Sequence, residues 1–135
     1  MITFNYETDF ILDEEIIISN WVTKVIVSEG FKEGEITYVF CNDDYLNKLN
    51  VEFLKHDTLT DIISFDYCMG KVIQGDIFIS IERVMENAID FDNSFDTELR
   101  RVIIHGILHY CGYNDKTSIE QSVMREKENY YLSEL

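Results

Sequence analysis

The sequence predicts an α+β fold, a mixed four-stranded sheet with helices packed on it. Two observations carry this prediction. Stretches whose side chains alternate like those of half-buried strands interleave with stretches whose apolar residues recur every three or four positions. Their order is strand–helix–strand–helix–strand–strand–helix–helix–helix, that of an α+β domain. Length agrees, because 135 residues make one domain large enough to bury a core. Residues 1–135 contain no internal repeat, low-complexity tract, linker or proline.

Ile2-Thr3-Phe4-Asn5-Tyr6 opens with strand alternation. Acids ending in Asp13-Glu14-Glu15 precede Ile16, Ile17, Trp21, Val22, Val25 and Ile26, whose spacing predicts a helix with a negative first turn. Gly30 closes it. Ile36, Tyr38, Val39 and Phe40 mark a strand over 35–41, and Asn42-Asp43-Asp44 offers caps for a helix through Tyr45, Leu46, Leu49 and Phe53. Residues 60–65 and 75–80 read as strands joined through a loop containing Gly70, a hairpin-like pair. A helix over 82–91 follows, and Ser94 or Asp96 caps the next, which carries two histidines. Thr117-Ser118-Ile119-Glu120 is a capping box, with Gln121 as the alternative partner of Ser118. It opens a last helix with Val123, Met124, Tyr130, Tyr131 and Leu132 on its apolar side.

The chemistry concentrates in His105-Gly106-Ile107-Leu108-His109-Tyr110-Cys111-Gly112-Tyr113-Asn114-Asp115. Four helical residues turn through about 400°, so His105 and His109 share one face, one turn apart. Bare histidine pairs at this spacing are more often core or surface residues than ligands. Here Val102, Ile103, Ile104, Ile107 and Leu108 surround them, and burying two polar rings among such neighbours is costly unless they are bonded or coordinated. Gly112 tolerates the left-handed conformation that ends helices, so Asp115 can swing back as an oxygen ligand. The expected site is one Zn²⁺ held by His105, His109 and Asp115, with a fourth position open to water, a zincin-like catalytic arrangement. Cys111 lies about 200° round the helix from His109 and faces away.

Composition bounds the rest. Eleven basic and 26 acidic residues give a net charge of −15, which argues against nucleic-acid binding through bulk electrostatics. Cys41, Cys68 and Cys111 are an odd set without C-x-x-C spacing and are expected as reduced, buried thiols. The opening residues are no signal peptide, and no apolar run approaches the roughly 20 residues of a membrane span. A soluble, cytoplasmic protein without membrane partners is expected.

The histidine stretch resembles the signature of the YbeY-type endoribonucleases, the bacterial rRNA maturation factors, H-G-x-L-H-x-x-G-Y-D-H. His105, Gly106, Leu108, His109, Gly112 and Tyr113 fall in place, and the family's third histidine aligns with Asp115. Thr60-Asp61-Ile62-Ile63-Ser64-Phe65 is similar to the family's T-D-V-L-S-F, Gly75-Asp76-Ile77-Phe78-Ile79-Ser80 to its G-D-I-x-I-S, and Leu49-Asn50 to its L-N. The motifs run from Leu49 to Asp115, and the likeness is weak before Glu35. A family arginine six residues before T-D is replaced by Leu54, which cannot bind phosphate; Lys55 and His56 stand next in line, with lysine a point charge in place of a bidentate fork. Aspartate is a legitimate but harder zinc ligand than imidazole.

The resemblance implies a single-strand-specific, zinc-dependent endoribonuclease of ribosomal RNA maturation, including the 3′ end of 16S rRNA, and of ribosome quality control. Its partners would be ribosomal RNA and the ribosome or its small subunit. The catalytic group would be water on the zinc, with no general base identified. Gly106 stands where H-E-x-x-H proteases carry glutamate, so peptide hydrolysis is disfavoured. Leu54 and the acidic charge favour a rival, a zinc-stabilised ribosome-associated module that does not cut. Asp61 and Asp76 are candidate carboxylates behind the histidines, whereas Thr60 and Ser64 suit backbone bonding at strand ends. Lys55, Arg100, Arg101 and Lys116 are candidates for a local basic rim.

Overall fold

The computed structural model describes residues 1–54 and 60–135, the Leu54 side chain excepted. The described residues form β1 (Ile2–Tyr6), α1 (Glu15–Ser28), β2 (Lys32–Cys41), α2 (Asp43–Leu54), β3 (Ile62–Asp66), β4 (Val72–Ser80), α3 (Ile81–Asp90), α4 (Phe95–Tyr110) and α5 (Ser118–Ser133). The strands make one sheet in the order β1-β2-β4-β3. β1 and β4 flank β2 in parallel, and β3 runs antiparallel to β4, so the sheet is mixed as the sequence predicts. β2 starts earlier than expected. Lys32 and Glu33 pair with Val72 and Ile73 ahead of a register shift that strand periodicity does not announce.

Alternation sends Ile36, Tyr38 and Phe40 of β2, with Ile73, Ile77 and Ile79 of β4, to one face. There they meet Ile18, Val22 and Ile26 of α1 and Ile103, Ile104 and Ile107 of α4. Cys41, Ile63, Phe65 and Phe78 reach the other face, beneath Leu46 and Leu49 of α2. Each fully buried side chain of this size contributes about 1.5–3 kcal/mol.

α4 lies in the middle of the larger core. Tyr38 Oη donates to the Ile103 carbonyl at 2.9 Å, and Tyr110 Oη to the Phe65 carbonyl at 2.9 Å, so two phenols tie the helix to the sheet. Gly106 lets it sit close: a Cβ there would lie 3.1 Å from Ile62 Cδ1 and 3.2 Å from Ile77 Cδ1. Glycine inside a helix costs about 1 kcal/mol relative to alanine, which the closer packing must offset.

Three helices end alike. In α1, Gly30 has φ 86° while its N–H reaches Val27 O and the Phe31 N–H reaches Ile26 O. α4 repeats this pattern at Gly112, and α3 at Asp92, whose φ is 54°. These are Schellman caps, which satisfy the last carbonyls and turn the chain sharply. Ser94 caps α4 by accepting from the Thr97 N–H, and the Thr117–Glu120 capping box opens α5.

Gly75 tests the seating of α4. A Cβ there would stand 2.3 Å from the Phe65 carbonyl oxygen and 2.4 Å from Tyr110 Oη. Gly75→Ala is expected to lower stability by about 1–3 kcal/mol, the usual penalty of overpacking. Urea unfolding should show a lower midpoint with an unchanged slope.

Candidate metal centre

The cap at the end of α4 builds the site. Gly112, at φ 103°, donates to His109 O at 3.0 Å, and the Tyr113 N–H to Leu108 O at 3.1 Å. The chain thereby doubles back, and Asp115 returns to the face that carries both histidines. Its Oδ2 lies 3.3 Å from His105 Nε2 and 3.3 Å from His109 Nε2. The two Nε2 atoms are 2.9 Å apart, on rings inclined at 83°. Among the described residues this trio is the cluster whose donor atoms all fall within 4.8 Å of one another. The His105 and His109 side chains remain 21% and 30% exposed, so the rings sit at an opening instead of being enclosed all round.

The turn is anchored from behind. Tyr113 Oη donates to Glu29 Oε1 at 2.7 Å, while Tyr131 Oη and Lys127 Nζ bond the other carboxylate oxygen. Burial works against the charged Glu29, but the bonds from Tyr131, Tyr113 and Lys127 outweigh it and hold its pKa below the ordinary value. The loop that carries Asp115 is thus tied to the end of α1 and to α5.

A second carboxylate sets the state of His105. Glu128 of α5 is buried, with Oε2 2.7 Å from His105 Nδ1 and Oε1 3.0 Å from Arg101 Nη1. An Nδ1–H donated to that carboxylate leaves the Nε2 lone pair facing His109 and Asp115. Burial again opposes both charges. The hydrogen bonds from His105 and Arg101 nevertheless keep Glu128 below its ordinary pKa, and the bond to Glu128, with the negative charges of Glu128, Asp115 and Asp61, raises that of His105.

Two ring nitrogens and a carboxylate oxygen therefore converge as acceptors. Such a set needs a proton or a cation between its members. Two nitrogens and an oxygen from three residues, with a carboxylate behind a ligating ring, match the donor chemistry of a catalytic zinc site. Cys111 stays out of the trio and packs against the core, where burial foremost pushes its thiol up to about 12. The cysteines are unpaired, as expected; Cys41 is buried, Cys68 and Cys111 half-buried.

The other candidates divide. Asp61 lines a cleft with His105, and its carboxylate accepts from Asn87 Nδ2 at 3.3 Å, not from a histidine. Asp76 pairs with Phe65 in the sheet, and its carbonyl accepts from Tyr110 Oη at 3.3 Å. Thr60 bonds the Ile62 carbonyl, as a strand-end threonine should. Of the expected rim, Arg101 is engaged by Glu128, Arg100 points to Glu14 at 4.0 Å beside a different cleft, and Lys116 is exposed. Lys55 and His56 lie outside the described residues. Sequence reasoning missed Glu128 and Arg125. The signal for Glu128 was an acid between Met124 and Tyr131, on the buried stripe of α5.

Two clefts meet at His105, Asp115, Glu128 and Arg125. One, of about 750 Å³, runs along α5 past Ser118 and Gln121, and the other, of about 300 Å³, reaches Asp61, Asn87 and Phe91.

A mixed sheet backing a His-x-x-x-His helix, with an acid returned by a glycine cap, defines an α+β protein built around a cluster of metal-type donors. The chain belongs to the endoribonuclease YbeY family, whose model, described as Endoribonuclease YbeY, matches residues 4–135. That match extends the likeness well ahead of Glu35. The sequence is 61% identical over 129 residues to the endoribonuclease YbeY of Flavobacterium johnsoniae, covering 96% of this chain and 93% of the relative. It is 48% identical to that of Bacteroides thetaiotaomicron, over 85% of this chain and 84% of the relative. The solution structure of TM1509 from Thermotoga maritima superposes with a TM-score of 0.71 at 28% identity, over 99% of this chain and 88% of that one.

Glu128→Gln keeps the shape and removes the charge. Zinc affinity, measured by competition with a chelator, is expected to fall about 10- to 100-fold. Without zinc, the stability difference between the two proteins should depend on pH. Glu128 has a folded pKa below its ordinary 4.5, so its contribution is full above 4.5 and is lost as pH falls through the lower value. His105 has a folded pKa above its ordinary 6.5, so its contribution is full below 6.5 and is lost as pH rises through the higher value. The difference should be greatest between those two values and should shrink on either side.

Proposed function

We propose that this chain is a zinc-dependent endoribonuclease that cuts single-stranded RNA in the maturation of ribosomal RNA, with residues 1–135 as one hydrolase domain. The observation that carries this reading is the convergence of His105 Nε2, His109 Nε2 and Asp115 Oδ2 in a member of a family named for RNA cleavage. His105, His109 and Asp115 would hold one ion. The chemistry such an ion would supply is a lowering of the pKa of water to about 7 and polarisation of a phosphoryl oxygen.

The chain's own residues do the rest. Glu128 fixes the His105 ring and its tautomer, and Arg101 keeps Glu128 charged. Asp115 contributes a negative charge where a third imidazole would contribute none, which favours harder cations more than an all-nitrogen set does. Gly106 leaves α4 without a carboxylate beside the first histidine, so the proton acceptor of a zinc protease is missing. No helix of the described residues is long and apolar enough to cross a membrane. Work in the cytoplasm, on the ribosome or its small subunit, suits that. The −15 charge favours a second reading, a zinc-stabilised ribosome-associated module without cleavage.

Two variants test this. Asp115→Ala should lose bound zinc on metal analysis of the purified protein; undiminished zinc removes Asp115 from the site. His109→Ala should abolish cleavage of single-stranded rRNA fragments by zinc-loaded protein. Ribosome association by a wild type that never cuts would favour the module.

A further inference from the structure

Resting on the RNA-cleaving function above, we propose that the smaller cleft beside His105 and Asp115 binds one nucleotide of single-stranded RNA, with Phe91 stacking on the base and Arg125 holding a phosphate. Phe91 is 59% exposed, and an exposed phenylalanine alone is ordinary. This one lines the same cleft as His105, Asp115 and Arg125. Its backbone is also fixed. Its N–H bonds Asn87 O at 2.9 Å, and the Schellman cap of α3 follows at once, through Asp92 to Ile89 and Asn93 to Ala88. An aromatic ring on a fixed backbone gives a base a platform, and base stacking needs no positive charge. That matters in a chain of net charge −15.

Among the described residues that line this cleft, Arg125 is the cation left available. Arg101 is 13% exposed and committed to Glu128, whereas Arg125 is 54% exposed and stands 3.9 Å from the same carboxylate. It lines both clefts, so its guanidinium fork can reach a backbone phosphate passing from one to the other. The cleft floor holds Asp61, Glu98 and Asn87. Asp61 and Glu98 are already engaged there, Asp61 with Asn87 Nδ2 at 3.3 Å and Glu98 with Asn93 Nδ2 at 3.5 Å. Their oxygens suit the N–H groups of a base edge. About 300 Å³ is the lower bound for small-ligand sites and fits one unstacked base, which a duplex cannot present.

The test compares Phe91→Leu, Phe91→Trp and Arg125→Gln with the wild type, all full-length. Binding of a labelled single-stranded RNA is measured by anisotropy with zinc chelated to prevent cutting, and KM and kcat with zinc restored. Both positions are exposed, so unchanged thermal unfolding is the control for folding. Phe91→Leu should weaken binding roughly 5- to 150-fold, the range of one base–aromatic stack, and raise KM more than it lowers kcat. Phe91→Trp should bind within a few fold of wild type. Arg125→Gln should weaken binding and reduce the slope of log affinity against log salt by about 0.7. Wild-type binding by Phe91→Leu, or equal losses for Leu and Trp, overturns the subsite while wild-type cleavage still upholds the enzyme. A wild type that neither binds nor cuts RNA overturns both.

Discussion

The closeness of α4 to the sheet is the constraint from which the site follows. Gly106 brings the helix backbone against Ile62 and Ile77, and two bonds hold it there, one from Tyr38 of β2 to Ile103 and one from the helix's own Tyr110 to Phe65 of β3. With Ile103, Ile104, Ile107 and Leu108 fully buried, the remaining side of the helix is the one that carries His105 and His109. Their spacing puts them together, but the packing decides that they look outward. A helix held less closely could rotate by a fraction of a turn, and the rings would lose both Asp115 and Glu128.

Electrostatically the site is a short alternating chain: Arg101, Glu128, His105, then the point where Asp115 and His109 meet it. Each group is held by an opposite or complementary neighbour, which is how buried charge is tolerated. Replacing an imidazole by Asp115 makes the donor set more negative by one unit. A divalent ion there would present a net charge of about +1 instead of +2, a weaker attraction for phosphate in an already acidic protein. Local cations near the opening gain importance accordingly, and Arg125 is placed to supply one.

The histidine helix, its glycine exit and the returning acid were legible because all three are local: helical period and a left-handed turn fix their relation within eleven residues. The sheet order and the early start of β2 were not, since Lys32 and Glu33 carry no alternation and their pairing with β4 depends on a shifted register. The carboxylate behind His105 was sought at Asp61 and Asp76 in the strands and lies instead at Glu128, 23 residues along the chain in α5. No periodicity within either helix reveals that encounter, which arises when the two dock. Arg100 and Arg101 show the same limit: neighbours on a helix point about 100° apart, so one joins the site and the other faces Glu14.

Glu29 adds a matter of timing. Its carboxylate grips Tyr113 beside the Asp115 turn and also Tyr131, 102 positions away. Closing so long a loop is slow, because chain entropy is lost before the contact repays it. The turn that carries Asp115 is set locally by its Gly112 cap, and its anchor at Glu29 is complete only when α5 is docked beside the end of α1.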